Sequence, residues 1–194
     1  MCSPIPTSLP EESGSAYRGP MRIAALRQRD GTTCGPSVAV MAGALLDPSY
    51  GAEPTQEWFA REQGRVHARI NRVWPRMLGT TPMGMARAIT VHSRERAVRY
   101  RWRLWRGRSD GLADVLAVVD AGWPVAMLVG RLLPRHWVLI VDVTADRLRC
   151  YEPSSGEMRS VELEAVRCAR MTGVGYPRVF ALVLPKLSTR SATA

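Results

Sequence analysis

Lysine is almost missing from this chain. Lys186 is the only one, and every other basic residue is arginine. The 194 residues nevertheless carry a formal net charge of +10 and a pI near 10.4. A charge of that size invites a nucleic-acid reading. Phosphate-binding surfaces normally mix the two cations, because lysine serves well as a point charge. Near-total absence of lysine points instead to a bias of composition, and nucleic acid is not the expected partner. No apolar run approaches the roughly 20 residues that cross a bilayer, so no membrane segment is expected. The four cysteines, Cys2, Cys34, Cys150 and Cys168, are widely scattered. Without a CxxC pair or a Cys/His cluster they offer no structural zinc site. The start, MCSPIPTSLPEESGSAYRGP, lacks the basic and apolar regions of a Sec signal peptide. The expected setting is a reducing one, the cytoplasm, with delivery out of the cell left open.

What is present is enough apolar material for a core. Hydrophobic residues make up 46% of the chain, and its length suits one domain. Residues 1–21, rich in Pro, Ser, Gly and Glu, and residues 187–194 read as flexible tails around a domain spanning 22–186. PSVAVMAGALL (36–46) is apolar almost all round, a buried helix with Pro36 in its first turn and Asp47-Pro48 as its stop. Residues 55–69 read as a more polar surface helix. Thr81-Pro82 opens a short third helix, MGMARAI, as N-cap and N1 proline. After Ser93 the pattern changes. RYRWRL (99–104) alternates charge and ring with the period of a half-buried strand, its arginines expected on the solvated face of a sheet edge. A short helix over 111–121 ends at Gly122. Strands follow at 124–130, 136–144, 147–151 and 179–184, with a tight turn near Ala145-Asp146 and a helical stretch over 161–169. Helices first and mostly antiparallel strands after them predict an α+β fold.

One junction carries chemistry. In QRDGTTCGPSVAVM (28–41) a polar turn runs into Cys34 and a helix starts at once. A thiol at a helix N-terminus sits where backbone N–H groups and the macrodipole favour its anion. A thiolate nucleophile needs a base, usually histidine, and the histidine needs an orienting acceptor. Of the three histidines, His67 falls in the polar helix and His92 in a polar linker, both expected at the surface. His136 opens a strongly apolar strand, where a polar residue is unexpected. In the hairpin of strands 136–144 and 147–151, facing residue numbers sum to about 288–291, which puts Glu152 opposite about 136–139. Asp142 lies six residues further along, about 20 Å away, and Asp146 is at the turn. Glu152 is therefore the expected acceptor. Gln28, on the turn before Cys34, supplies an amide that can hold an oxyanion beside the Cys34 N–H. Cys150 and Cys168 are expected as packing residues, and the tryptophans, Trp137 among them, as core or cleft wall.

Gln28, Cys34-Gly35-Pro36-Ser37, then Ala121-Gly122-Trp123-Pro124-Val125, His136-Trp137-Val138-Leu139 and Glu152-Pro153-Ser154-Ser155-Gly156, in this order, resemble the C39-like branch of the papain-type cysteine peptidases. These are bacterial relatives of the peptidases that trim bacteriocin leaders at double-glycine sites. The resemblance spans about 22–186. It implies a papain-like cysteine peptidase fold, with nucleophile Cys34 at a helix start, His136 as general base and acid, and Gln28 in the oxyanion hole. The family usually has aspartate where this chain has Glu152, one methylene longer. The expectation is a thiol hydrolase acting on a peptide or protein substrate, with a Cys-His-Glu triad and no metal or organic cofactor. Two alternatives stay open. The same triad can pass the acyl group to an amine, as acyltransferases and transglutaminases do, or the fold can serve as a non-catalytic module that binds a peptide or nucleic acid.

Overall fold

The computed structural model describes residues 25–52, 54–70 and 79–187. The expected tail 1–21, and the expected tail 187–194 beyond its first residue, lie outside this range. Three helices come first: α1 (Cys34–Leu46), α2 (Gln56–Ile70) and α3 (Pro82–Ser93). Strand β1 (Arg99–Leu104) and helix α4 (Ala113–Asp120) follow, then β2 (Val125–Gly130), β3 (Pro134–Thr144), β4 (Arg147–Glu152) and β5 (Glu157–Glu162). A short α5 (Leu163–Arg167) and β6 (Arg178–Lys186) complete the described chain. The strands form one antiparallel sheet in the order β1-β6-β2-β3-β4-β5.

The sheet is buried on both faces, so its central strands lose the in–out alternation of a solvated sheet. All six residues of β2 are buried. Ala126, Leu128, Trp137, Leu139, Tyr151 and Val183 point to one face, where they pack with α1, α2 and α3. Val125, Met127, Val138, Ile140, Leu148 and Leu182 point to the other, against α4 and α5. Helix α1 is the hub of the first layer. Its side chains are apolar on every side, and all its residues but Leu45 are buried.

Start signals read from the sequence hold. Thr81 Oγ1 accepts from Gly84 N at 3.1 Å, and Pro82 occupies the first turn, where no donor is needed. Helix α3 runs past the expected Ile89 to Ser93 because Thr90 serves both sides. Its hydroxyl donates to Ala86 O (2.7 Å) and accepts from Tyr100 N (3.0 Å), tying the helix to β1. The β3–β4 hairpin turns at Ala145, with φ +50°. Its register sums to 290 or 291, as in Leu139↔Tyr151 and Thr144↔Arg147. Strand β5 is the element the sequence does not announce. EMRSVE is polar because it is an edge strand, with Val161 its one fully buried side chain. It claims residues 161 and 162, and so shortens the helix expected over 161–169 to Leu163–Arg167.

Candidate active site

Cys34 is the first residue of α1, so its backbone N–H belongs to the turn that has no intrahelical acceptor. The two residues after it are explained by neighbours. A Cβ at position 35 would fall inside the van der Waals shell of Thr80 Oγ1 and Cβ, so only glycine lets the 79–81 segment lie against the helix start. Ser37 Oγ donates to Thr33 O at 2.8 Å and closes the first turn. The thiol is nearly buried, at 6% exposure.

His136 reaches the same place from the start of β3. Its Nε2 lies 2.7 Å from Glu152 Oε1, at the end of β4. Cys34 also lies close enough to the ring to favour its charged form. With Nε2 committed to the carboxylate, Nδ1 is the nitrogen left for sulfur. Burial works against a charged ring, but the interactions with Cys34 and Glu152 outweigh it and raise the His136 pKa to about 9. The imidazolium is therefore the resting form at neutral pH. Glu152 is placed to support it. Burial opposes its charge, yet hydrogen bonds from His136 and from the backbone of Ser154 (2.9 Å) and Ser155 (2.8 Å) hold it well below the usual carboxylate range. The Tyr176 ring lies beside that of His136, centroids 5.6 Å apart and tilted by 32°.

Gln28 is brought to this end of the molecule by a strap. Its backbone N–H donates to Pro153 O (2.8 Å) and that of Ala25 to Gly156 O (3.0 Å), while Tyr151 Oη donates to Leu26 O (2.7 Å). From α2, Gln56 and Gln63 hold the backbone of Arg27 and Arg29. The Gln28 backbone is thus fixed on both sides. Its side-chain Oε1 is buried and has no partner among the described residues. Beside Cys34 a small pocket of about 160 Å³ is lined by Thr80, Thr81, Pro82, Pro134 and Trp137. Trp137, 2% exposed, is both core and cleft wall, and its Nε1 donates to Thr80 O at 2.9 Å.

Known structures share this architecture. The peptidase domain of Streptococcus ComA, a bifunctional ABC transporter of a quorum-sensing pathway, superposes with a TM-score of 0.50 at 14% identity, over 84% of this chain and 97% of that one. The fold is that of the ComA peptidase domain. The resemblance to C39-like, papain-type peptidases read from the sequence holds at this level. Two further structures align: the ComA peptidase domain of Streptococcus mutans (TM-score 0.44, 13% identity, 84% of this chain and 99% of that) and a double glycine motif protease from an AMS/PCAT transporter, solved with its leader peptide (0.46, 14%, 88% and 96%). No family model matches the chain, and no match is found among curated proteins.

On this ComA-like fold some expectations need correction. His67 is not a surface residue: it is 5% exposed on the inner face of α2, which carries Phe59 and Val66 into the core. His92 belongs to the last turn of α3 rather than to a linker, and it stacks on Tyr50 with centroids 4.0 Å apart. Arg103 is not on a solvated face; it is clamped between Asp110 and Asp114. Cys150 is fully buried as expected, and burial pushes its thiol up to about 12. Cys168 is only partly buried, with its Sγ on Glu164 Oε1 at 2.9 Å. Cys2 lies outside the described residues. Sequence reasoning missed Thr80 and Tyr176. For Thr80 the signal was Gly35, whose missing side chain marks a close approach; for Tyr176 there was none.

Proposed function

We propose that the chain is a cysteine peptidase working through Cys34, His136 and Glu152, with Gln28 in the oxyanion hole. The observation that carries this reading is the imidazole of His136 held between the Glu152 carboxylate and the Cys34 thiol at a helix start. A thiol beside an imidazolium in an electropositive setting is where nucleophilic thiolates form. Cys34 Sγ attacks the substrate carbonyl and a C–S bond forms. The oxyanion takes hydrogen bonds from the Cys34 N–H and from the N–H₂ end of the Gln28 amide. The proton held on His136 passes to the leaving amine as the C–N bond breaks. Water then attacks the thioester with His136 as base, and the C–S bond breaks to return the thiol. Glu152 stays ionised throughout and keeps the ring oriented. The longer side chain is accommodated because Ser154 and Ser155 N–H groups curl the 152–155 turn around its carboxylate. A free thiol nucleophile suits a reducing compartment such as the cytoplasm.

The test is Cys34→Ala. Turnover of peptides cleaved by the wild type should vanish while the circular dichroism spectrum and melting temperature stay close to wild type. Residual cleavage at the wild-type rate in that variant sinks the reading.

A further inference from the structure

A cavity larger than the one at Cys34 lies beside it. It is a groove of about 830 Å³ between the outer flank of α3 and strand β1. Five arginines line it: Arg69, Arg87, Arg94, Arg99 and Arg101. No Asp or Glu is among its lining residues, and none of the five makes an ion pair among the described residues. The contrast lies in the same strand, where Arg103 is neutralised by two aspartates. The groove also keeps large apolar groups in water: Trp102 is 45% exposed and Met83 50%.

Two observations connect this groove to the catalytic cleft and to an extended chain. Thr80, Thr81 and Pro82 line the pocket at Cys34, while the next two residues, Met83 and Gly84, line the groove, so the two meet at the start of α3. The edge of β1 is also only half covered. Tyr100 N–H points away from β6 and is taken by Thr90 Oγ1. By alternation the backbone groups of Trp102 and the N–H of Leu104 face the same open side, while Leu104 O accepts from Arg103 Nη1 at 3.3 Å. An added strand can pair there.

Resting on the peptidase reading above, we propose that this groove binds an acidic, extended segment of the peptide substrate. Guanidinium groups match carboxylates in a planar fork, and the apolar floor takes the side chains between them. From β3, which carries His136, to β1 is three strand spacings, about 14 Å, and the register sets Trp102 to Arg99 about four to seven residues, roughly 13–23 Å, further along the sheet than His136. An extended chain covers that diagonal in about six to eight residues, so the acidic segment lies about six to ten residues from the bond that is cut. A peptide fits better than a nucleic acid because half of the offered contact is an open strand edge, which pairs with a backbone amide and not with a phosphodiester.

The experiment measures binding and so does not depend on cleavage. A fluorescein-labelled peptide alternating glutamate and leucine, its glutamine counterpart and an oligo(dT) of similar length are titrated by anisotropy at about 50 mM salt. The proteins are Cys34→Ala and Cys34→Ala carrying Arg99→Glu and Arg101→Glu. The acidic peptide is expected to bind about tenfold or more tightly than the glutamine form, and to lose that advantage in the charge-reversed protein. Equal binding of the two peptides, or an advantage that survives charge reversal, overturns the inference. So does oligo(dT) bound through the same arginines more tightly than the acidic peptide. Acidic-peptide selectivity in a protein whose wild type cleaves nothing would sink the peptidase reading and keep the groove. Cleavage without charge selectivity would do the reverse.

Discussion

Replacing Glu152 with glutamine removes a charge while hardly changing size, and its cost can be worked from the hydrogen bonds at that position. The carboxylate accepts three, from His136 Nε2 and from the N–H groups of Ser154 and Ser155. A glutamine has one acceptor oxygen. If it faces His136, its NH₂ meets the Ser155 N–H, donor against donor. If it turns to Ser155, the ring and the Ser154 N–H both lose their acceptor. Either way a charge-assisted bond becomes at best a neutral one, a loss of about 1–2 kcal/mol. That corresponds to a drop of ~5- to 30-fold in kcat/KM. On the proposed mechanism His136→Ala removes the proton carrier itself, and should cost ~10²- to 10⁴-fold. The pH profile gives a second readout. The carboxylate helps hold the His136 proton up to about pH 9. Without it burial has less to oppose it, and the alkaline limb of kcat/KM should move down. The assay is kcat/KM across pH, on a peptide that the wild type cleaves, for all three proteins. Equal losses in the two variants, or an alkaline limb that stays in place in Glu152→Gln, would refute the orienting role.

The same geometry yields two more expected outcomes. Gly35→Ala forces a methyl against Thr80 and should cost about 1–3 kcal/mol, several degrees in melting temperature, and slow iodoacetamide labelling of Cys34 by shifting the helix start; an unchanged melting temperature would show that the 79–81 segment does not press on Gly35. The His136 pKa is raised on folding, so its stabilising contribution is complete below about pH 6.5 and fades as pH rises through about 9; the melting-temperature gap between wild type and His136→Ala should therefore shrink from pH 6.5 to pH 10, and a constant gap would contradict the shift.

The parts of the molecule legible in the sequence are those where a local rule had no competitor. Thr81-Pro82 could only start a helix, and the apolar run of α1 could only be buried. Hairpin arithmetic placed Glu152 opposite His136 because strand register is a matter of counting once the turn is known. What failed did so for tertiary reasons. Strand β5 owes its existence to pairing with β4, which its polar composition does not advertise. The polar sequence neighbours of His67 and His92 suggest exposure, whereas their burial depends on which face of α2 and α3 meets α1. Arg103 shares an alternating pattern with Arg99 and Arg101, and only the later placement of Asp110 and Asp114 separates it from them.

The strap that joins Leu26 and Gln28 to the 151–156 region has a meaning for the time course of synthesis. Cys34 leaves the ribosome about 120 residues before Glu152, which at ~5–20 residues per second is a wait of roughly 6–24 s. In that interval the chain carries a thiol but no ring to pair with it, and residues 25–28 have no turn to dock on, since Tyr151 and Pro153 do not yet exist. Helix α1 can meet α2 and α3 early, but the cluster of Cys34, His136 and Glu152 closes only when the fourth strand arrives. Cys34 thus meets His136 and Glu152 late, when the fold around them is nearly complete.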